Sequence, residues 1–201
     1  MNQMPKQRGT VRTSLLKLGR EMLERDGPDS LSVRKLAAAA GVSHNAPYMH
    51  FDGREGLIAA LAAAGFEDLG ATISAAGEQA GDAWPDRFRA GCSAYVTFAI
   101  ANPVLYATMH RGFDPAVWTE THEASITAFG LLKRALAEGQ DLGEIRPGDV
   151  HTIALAVWAS LHGLAGILGR SEDSKHISAA PAEQIIRDTL DLVLSGIAAP
   201  K

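Results

Sequence analysis

The stretch Leu31-Ser-Val-Arg-Lys-Leu-Ala-Ala-Ala-Ala-Gly-Val-Ser-His-Asn-Ala-Pro-Tyr-Met-His-Phe51 decides the fold of the N-terminal part of the chain. Before Gly41 its apolar residues recur three and four positions apart, which predicts a short helix capped by Ser32. Gly41-Val42-Ser43 predicts a turn, and Ser43 is placed to cap another helix from about His44 to Phe51. Two short helices joined by a tight turn form a helix-turn-helix pattern.

The second of these helices is predicted to bury one face and expose the other. Pro47 and Phe51 are four residues apart and would point inward, so His44, Asn45 and Tyr48 would point outward. A solvated helix face usually carries glutamate and lysine, whereas this face carries hydrogen-bonding and aromatic side chains. The pattern favours a face that contacts another molecule.

Helical periodicity dominates the rest of the chain, and strand alternation is nearly absent, so the predicted fold class is all-α. A stripe through Leu15 and Met22 predicts a first helix that Asp26-Gly27-Pro28 ends. Asp52 and Glu55 form a variant of the capping box at the start of a fourth helix. Later helices are predicted over Trp84–Ala101, Pro103–Arg111, Pro115–Glu138, Pro147–Gly169 and Pro181–Ile197, after a connection at Gly77–Asp82.

Composition excludes several classes of protein. With 201 residues, of which 46% are hydrophobic and 21% charged, the chain is an ordinary globular protein and not a disordered one. A single cysteine, Cys92, excludes a disulfide framework and a multi-thiolate metal site within one chain. The first ten residues are polar and give no signal-peptide core, so the expected location is the cytoplasm. Ile153–Gly169 is uncharged but short, and a buried bundle helix is predicted rather than a membrane span.

Charge is distributed unevenly along the chain. Met1–Leu57 carries a net charge of +3 and the remainder −7, for a total of −4. A basic segment on an acidic body suggests a localised surface for a polyanion, although a solvated helix face gives a similar pattern.

The stretch Leu31–Ser43, followed by Pro47-Tyr-Met-His-Phe51 and Arg54-Glu-Gly-Leu57, resembles the TetR family of bacterial transcriptional regulators. The resemblance covers Thr10–Leu61, and Trp158-Ala-Ser-Leu-His162-Gly163 resembles a subgroup with a Trp-His-Gly signature in its C-terminal domain. The resemblance to the TetR family implies a three-helix, helix-turn-helix DNA-binding domain at residues 1–57. It also implies a helical ligand-binding and dimerisation bundle at residues 58–201, with about nine helices in all.

The resemblance implies a role in DNA binding for particular residues. Bases would be read by Ser43, His44, Asn45 and Ala46, and phosphates would be contacted by Tyr48 and His50. Arg54 would occupy the usual basic position at the start of the fourth helix, and Arg34 would match another DNA-facing position. Lys6, Arg8 and Arg12 would form a basic arm that reaches the backbone or the minor groove. Met49 departs from the family pattern, in which arginine or lysine is commoner, and removes one possible phosphate partner.

Elementary chemistry supports these residue types independently. Asparagine can pair bidentately with adenine, and alanine can pack against a thymine methyl. Tyrosine and histidine donate to phosphate, and arginine adds charge. An alternative stays open, in which Tyr48 is a core aromatic and His50 caps a helix end.

Large side chains in the C-terminal part suggest an apolar pocket for a small effector, with histidines as polar anchors. The candidates are Phe88, Tyr95, Phe98, Tyr106, Met109, Phe113, Trp118, His122, Phe129 and His162, with His110 as a further possible anchor. For any one of these residues, burial in an ordinary core is favoured over a pocket, whereas for His162 the two explanations are equal. The resemblance implies that the last two predicted helices form the homodimer contact, and a two-fold dimer can read two half-sites.

Together these features predict a homodimeric repressor that an effector releases from a palindromic DNA operator. One alternative is a helical ligand-binding or interaction protein without sequence-specific DNA binding, supported only by Met49. A small helical enzyme is the other, but no catalytic motif, metal site or cofactor site is found in the sequence.

Overall fold

The computed structural model describes residues 5–111, 118–169 and 180–200, with side chains from residue 11 onward. This part of the chain is all-helical, as predicted, with eight α-helices and two short 3-10 helices. The α-helices are α1 (Pro5–Asp26), α2 (Val33–Ala39), α3 (Gly53–Gln79), α4 (Trp84–Ala101), α5 (Pro103–Met109), α6 (Thr119–Asp141), α7 (Val150–Leu168) and α8 (Ala182–Ile197). The 3-10 helices are Pro28–Ser30 and Pro47–Met49.

The chain divides into two compact units. Unit 1 comprises the described residues of Met1–Glu67 and Val104–Ser125, and unit 2 those of Asp68–Pro103 and Ile126–Lys201. Helices α3 and α6 each continue from one unit into the other. The functional boundary predicted after Leu57 stays a prediction.

Unit 1 has its core between α1, α2 and the first half of α3. Leu15, Leu23, Leu36, Leu57 and Ile58 are almost completely buried. Their positions follow the predicted apolar stripes, in which residues three or four apart face the same neighbour. The fourth predicted helix is confirmed at its start and continues without a break through Gly70 to Gln79.

Unit 2 is built around α4, which packs against α7 and α8. Helix α4 has the bounds that the sequence predicts, with Pro85 in its first turn and Asn102-Pro103 at its end. Cys92 lies on its buried side, and burial raises the pKa of the thiol to about 12. The thiol therefore stays protonated at neutral pH and is a poor nucleophile.

By length and composition alone, α3 and α7 are apolar enough to cross a membrane. Both contribute to the cores described above, and α7 buries Ile153, Val157, Leu161 and Leu164 within unit 2. Core packing accounts for the hydropathy of such helices, and this is weak evidence for a membrane span.

Helix α6 ends at Asp141, three residues after the predicted end at Glu138. Gly139 lies inside the helix, and the chain leaves it at Gly143, which has a φ of +74°. The Gly143 N–H donates to Gln140 O at 3.0 Å and the Glu144 N–H to Gly139 O at 2.8 Å. These two bonds form a Schellman motif, which makes Gly143 the stop signal.

Gly139 is required where it stands because the Trp84 ring lies against its Cα. A Cβ atom at residue 139 would be 2.5 Å from Trp84 Cζ2, and the indole N–H of Trp84 is held by Ala135 O at 2.7 Å. We expect Gly139→Ala to lower the free energy of unfolding by about 1–2 kcal/mol, because overpacking outweighs the gain in helix propensity. Urea unfolding monitored by circular dichroism measures this change.

Gly77 provides the matched control for this prediction. It is also helical, but a Cβ there would only reach ordinary van der Waals contact, 3.7 Å from Arg87 O. We expect Gly77→Ala to leave the unfolding free energy unchanged or raise it. Equal effects of the two substitutions would show that the Trp84 contact is not responsible.

Candidate nucleic-acid interface

Helix α2 and the turn after it have the geometry that the sequence predicts. Ser32 Oγ accepts a hydrogen bond from the Lys35 N–H at 3.3 Å and caps the helix. Gly41, with a φ of +64°, ends it, because the Gly41 N–H donates to Ala38 O and the Val42 N–H to Ala37 O. The turn leads directly into Ser43–His50, which we call the reading segment.

The reading segment is not the α-helix that its sequence predicts. It consists of turns followed by the 3-10 helix Pro47–Met49, with hydrogen bonds from Ala46 N–H to Ser43 O at 3.0 Å and from Met49 N–H to Ala46 O at 3.2 Å. The predicted α-helix from His44 to Phe51 is therefore wrong in type. Proline has no N–H, so Pro47 cannot make the bond to Ser43 O that an α-helix requires.

The inward and outward faces of the reading segment are as predicted. Pro47 and Phe51 are buried, whereas Ser43, His44 and Asn45 are exposed. Tyr48 is 53% exposed, so the alternative that it is a core aromatic is wrong. Ala46 and His50 are half-buried. The His44 and Tyr48 rings lie edge to face, with their centroids 6.2 Å apart.

Arg34 and Arg54 flank the reading segment in the sequence. Arg34 is exposed on the first turn of α2. Arg54, on the first turn of α3, is only partly exposed, because Nε donates to Leu31 O at 3.0 Å and Nη2 donates to Pro28 O at 2.6 Å. Nη2 also lies 3.6 Å from Asp29 Oδ1. Arg54 thus holds the segment before α2 against the start of α3.

This bridging role of Arg54 is not visible in the sequence. Its partners are backbone carbonyls 23 and 26 residues away, and any residue type supplies a carbonyl. Two of the guanidinium nitrogens are engaged, and the side chain remains 39% exposed. Contact with a phosphate is still chemically available to it, because a guanidinium carries five N–H donors.

The predicted basic arm is part of α1, which begins at Pro5. The side chains of Lys6 and Arg8 lie outside the described residues. Arg12 Nη2 donates to Glu120 Oε2 at 2.8 Å, and the guanidinium carbon lies 6.0 Å from the centre of the Phe51 ring. Arg12 is therefore placed beside the end of the reading segment by two contacts within unit 1.

The start of α6 is bonded to α3 within unit 1. The Trp118 indole N–H donates to Glu55 Oε1 at 3.1 Å, and Thr121 Oγ1 donates to Ala59 O at 2.8 Å. Trp118 and Thr121 are completely or almost completely buried. Glu55, predicted as a capping-box residue, thus accepts a bond from a side chain 63 positions away. These contacts fix the first turn of α6 to the helix that follows the reading segment.

The predicted pocket residues are divided between the units. Tyr106, Met109, Trp118 and His122 belong to unit 1, and Phe88, Tyr95, Phe98, Phe129 and His162 belong to unit 2. The first three of each group are buried, Phe129 and His162 are half-buried, and His122 is exposed. Phe113 lies outside the described residues. An effector-binding role for this set stays a prediction.

Two histidines among the predicted anchors have ordinary packing partners. His162 stacks on Trp158, with ring centroids 5.0 Å apart, and burial lowers its pKa. His110 Nδ1 lies 3.0 Å from Tyr106 O, and its ring lies against Phe66. In the described part of the chain, no three His, Cys, Asp or Glu side chains are grouped to hold a metal ion.

Two family models match the chain. The model described as bacterial regulatory proteins, tetR family, matches residues 15–61, which contain α2 and the reading segment. The model described as tetracyclin repressor-like, C-terminal domain, matches residues 88–190, which is about half of the chain.

Individual proteins agree with these models. The HTH-type transcriptional regulator Rv1816 of Mycobacterium tuberculosis is 27% identical over 146 residues, or 71% of this chain and 62% of that protein. The chain thus covers less than two thirds of that relative.

Two solved structures from Rhodococcus also resemble the chain. A protein of unknown function from Rhodococcus sp. RHA1 is 36% identical, with a TM-score of 0.82, covering 98% of this chain and 100% of that one. A regulatory protein in the tetR family from Rhodococcus RHA1 has a TM-score of 0.70 at 21% identity, covering 95% of this chain and 98% of that one. The second likeness concerns the fold alone.

Proposed function

Since the chain belongs to the TetR family of bacterial transcriptional regulators and carries its DNA-binding helix-turn-helix, we propose that it is a homodimeric repressor released from a palindromic operator by a small effector. The observation that carries the proposal is the two-sided reading segment: Pro47 and Phe51, the residue directly after the segment, are buried, whereas His44, Asn45 and Tyr48 are exposed. Hydrogen-bonding side chains on a short exposed element suit contact with base edges in the major groove.

The residues proposed to bind DNA have distinct roles. Ser43, His44, Asn45 and Ala46 contact bases at the start of the reading segment. Tyr48 and His50 donate to phosphates, and Arg34 and Arg54 add positive charge on either side. All eight are at least partly exposed in the DNA-free chain, which supports the assignment.

Dimerisation through α7 and α8 is supported by the apolar side chains that these two helices expose. Helix α7 has no Asp, Glu, Lys or Arg in its 19 residues, yet only one side of it is buried. Leu155 and Ile167 on α7, and Leu192 on α8, are exposed large hydrophobic residues. An uncharged exposed face of this kind marks a protein contact. A second copy of the chain is the proposed occupant, because it would bring two reading segments to one duplex.

Release by an effector requires a connection between the C-terminal body and the DNA-binding part. Helix α6 carries Phe129, one of the predicted pocket residues. Its first turn is bonded to α3 through Thr121, and Trp118, which directly precedes the helix, is bonded to α3 as well. An effector that binds one arrangement of α6 more tightly than another would shift the population of dimers able to bind DNA. A transcriptional regulator of this type acts in the bacterial cytoplasm, where the DNA is.

Selection from a random pool of duplexes tests the proposal. The chain is expected to enrich a palindrome whose half-sites are separated by about one helical turn or a multiple of it. Binding to that duplex should weaken steeply with salt, as for any protein that neutralises phosphates. Retention of duplexes without sequence enrichment would favour the alternative, a helical interaction protein that has lost specific recognition.

Asn45 is the residue whose substitution should change specificity most clearly. We expect Asn45→Ala to cost about 1–3 kcal/mol on the selected duplex and to relax preference at one or two base pairs per half-site, because an amide can pair bidentately with adenine. Competition binding with single base-pair changes measures this effect. Random-sequence duplex is the control, and equal weakening on both duplexes would contradict the base contact.

A further inference from the structure

Two adjacent apolar side chains are exposed on the reading segment. Seven large hydrophobic residues are exposed in the described part of the chain, and Tyr48 and Met49 are the two that belong to unit 1. Met49 is the more exposed, at 71%. Pro47 is the buried residue of the 3-10 helix, and the two residues that follow it, Tyr48 and Met49, lie on the exposed side of that helix.

The reading segment also lacks the side chains that read guanine most often. From Val42 to Phe51 the sequence has no lysine or arginine, and no aspartate or glutamate. Bidentate contact with guanine, the commonest specific contact in the major groove, is therefore not available from within this segment. Direct contact between this segment and the bases is therefore limited to neutral hydrogen-bonding groups and apolar side chains.

The major groove offers apolar contact at one place, the 5-methyl group of thymine. Methionine suits this group, because its side chain is unbranched, flexible and polarizable and adapts to an irregular surface. Resting on the proposed function, we infer that Met49 is a specificity-determining residue that packs against a thymine methyl in each half-site. The neighbouring Tyr48 ring lies edge to face with the His44 ring on the same exposed segment, with the two centroids 6.2 Å apart.

Removing single methyl groups from the DNA tests this inference. The duplex enriched from the random pool is remade with each thymine in turn replaced by deoxyuridine, which changes no hydrogen-bonding group. We expect the affinity of the natural chain to fall about threefold to fivefold at one or two thymines per half-site. A loss of this size corresponds to the free energy of burying one methyl-sized apolar group. Fluorescence anisotropy at fixed salt measures it.

A substitution in the protein assigns the methyl contact to Met49. Met49→Ala should bind the natural duplex about threefold to fivefold more weakly, and uracil at the contacted thymine should then cause no further loss. The high exposure of Met49 means that this variant should fold, which a thermal melt checks. Leu142→Ala is the matched control, because Leu142 is exposed in unit 2 and should leave the uracil effect unchanged.

Three results would overturn the inference while leaving the proposed function intact. They are an enriched half-site without thymine, no uracil effect at any position, and the same uracil effect in Met49→Ala as in the natural chain. Failure to enrich any sequence would instead overturn the proposed function, and the inference with it.

Discussion

A Leu192→Glu protein is expected to be monomeric at concentrations where the proposed homodimer of the natural chain forms. Leu192 is the most exposed large hydrophobic residue of the described chain, at 74%, and lies on α8. In a two-fold dimer the substitution places two carboxylates in one apolar contact. Burial of each unpaired charge costs several kcal/mol, so the dimer dissociation constant should rise a hundredfold or more. Sedimentation velocity across a dilution series measures the change.

Operator binding should fall together with the dimer. A monomer binds only one half-site, so it loses the additional affinity that a dimer obtains when its two linked reading segments bind both half-sites. Leu142→Glu is the matched control, because Leu142 is 59% exposed but lies between α6 and α7, outside the proposed contact. A dimeric Leu192→Glu protein would show that α8 is not part of the interface.

Substitution of Arg54 should weaken binding to every duplex. Arg54→Ala removes two charge-assisted bonds to Pro28 O and Leu31 O and also removes a positive charge beside the reading segment. Charge-assisted bonds are worth about 1.5–3 kcal/mol each where they are buried, and these are partly exposed. We expect binding to specific and random duplexes to fall about thirtyfold or more, with the salt slope lower by about one.

Hydrogen exchange separates the two roles of Arg54. If the bridge to the carbonyls matters, amide protection around α2 should fall in Arg54→Ala and also in Arg54→Lys, because an ammonium cannot reproduce the two-nitrogen fork. Arg34→Ala should lower the salt slope without changing protection, since Arg34 is exposed on α2. Unchanged protection in Arg54→Lys, with natural affinity, would leave Arg54 with the phosphate role alone.

Local patterns predicted those features that depend on neighbours in the sequence. The cap at Ser32, the turn at Gly41 and the bounds of α4 follow from residues a few positions apart, and the structure has all three. The outward face of the reading segment was predictable for the same reason, because Pro47 and Phe51 identify the buried side.

Features that depend on distant partners were not predictable. Arg54 bonds to carbonyls more than twenty residues away, and Trp118 reaches Glu55 across 63 positions. Gly139 would end α6 by local rules, but Trp84 requires a glycine there and the helix continues. The 3-10 geometry at Pro47 was in principle visible, because the missing N–H alone excludes the α-helical bond.

The unreactive Cys92 makes the chain convenient for spectroscopy. It is the one cysteine in the sequence, and its buried thiol is protonated at neutral pH. A second cysteine introduced at an exposed position, such as Lys35, would take a maleimide spin label while the native thiol stays unlabelled. In an assembled pair of chains, double electron–electron resonance would measure the distance between the two spin labels, with and without an added small molecule.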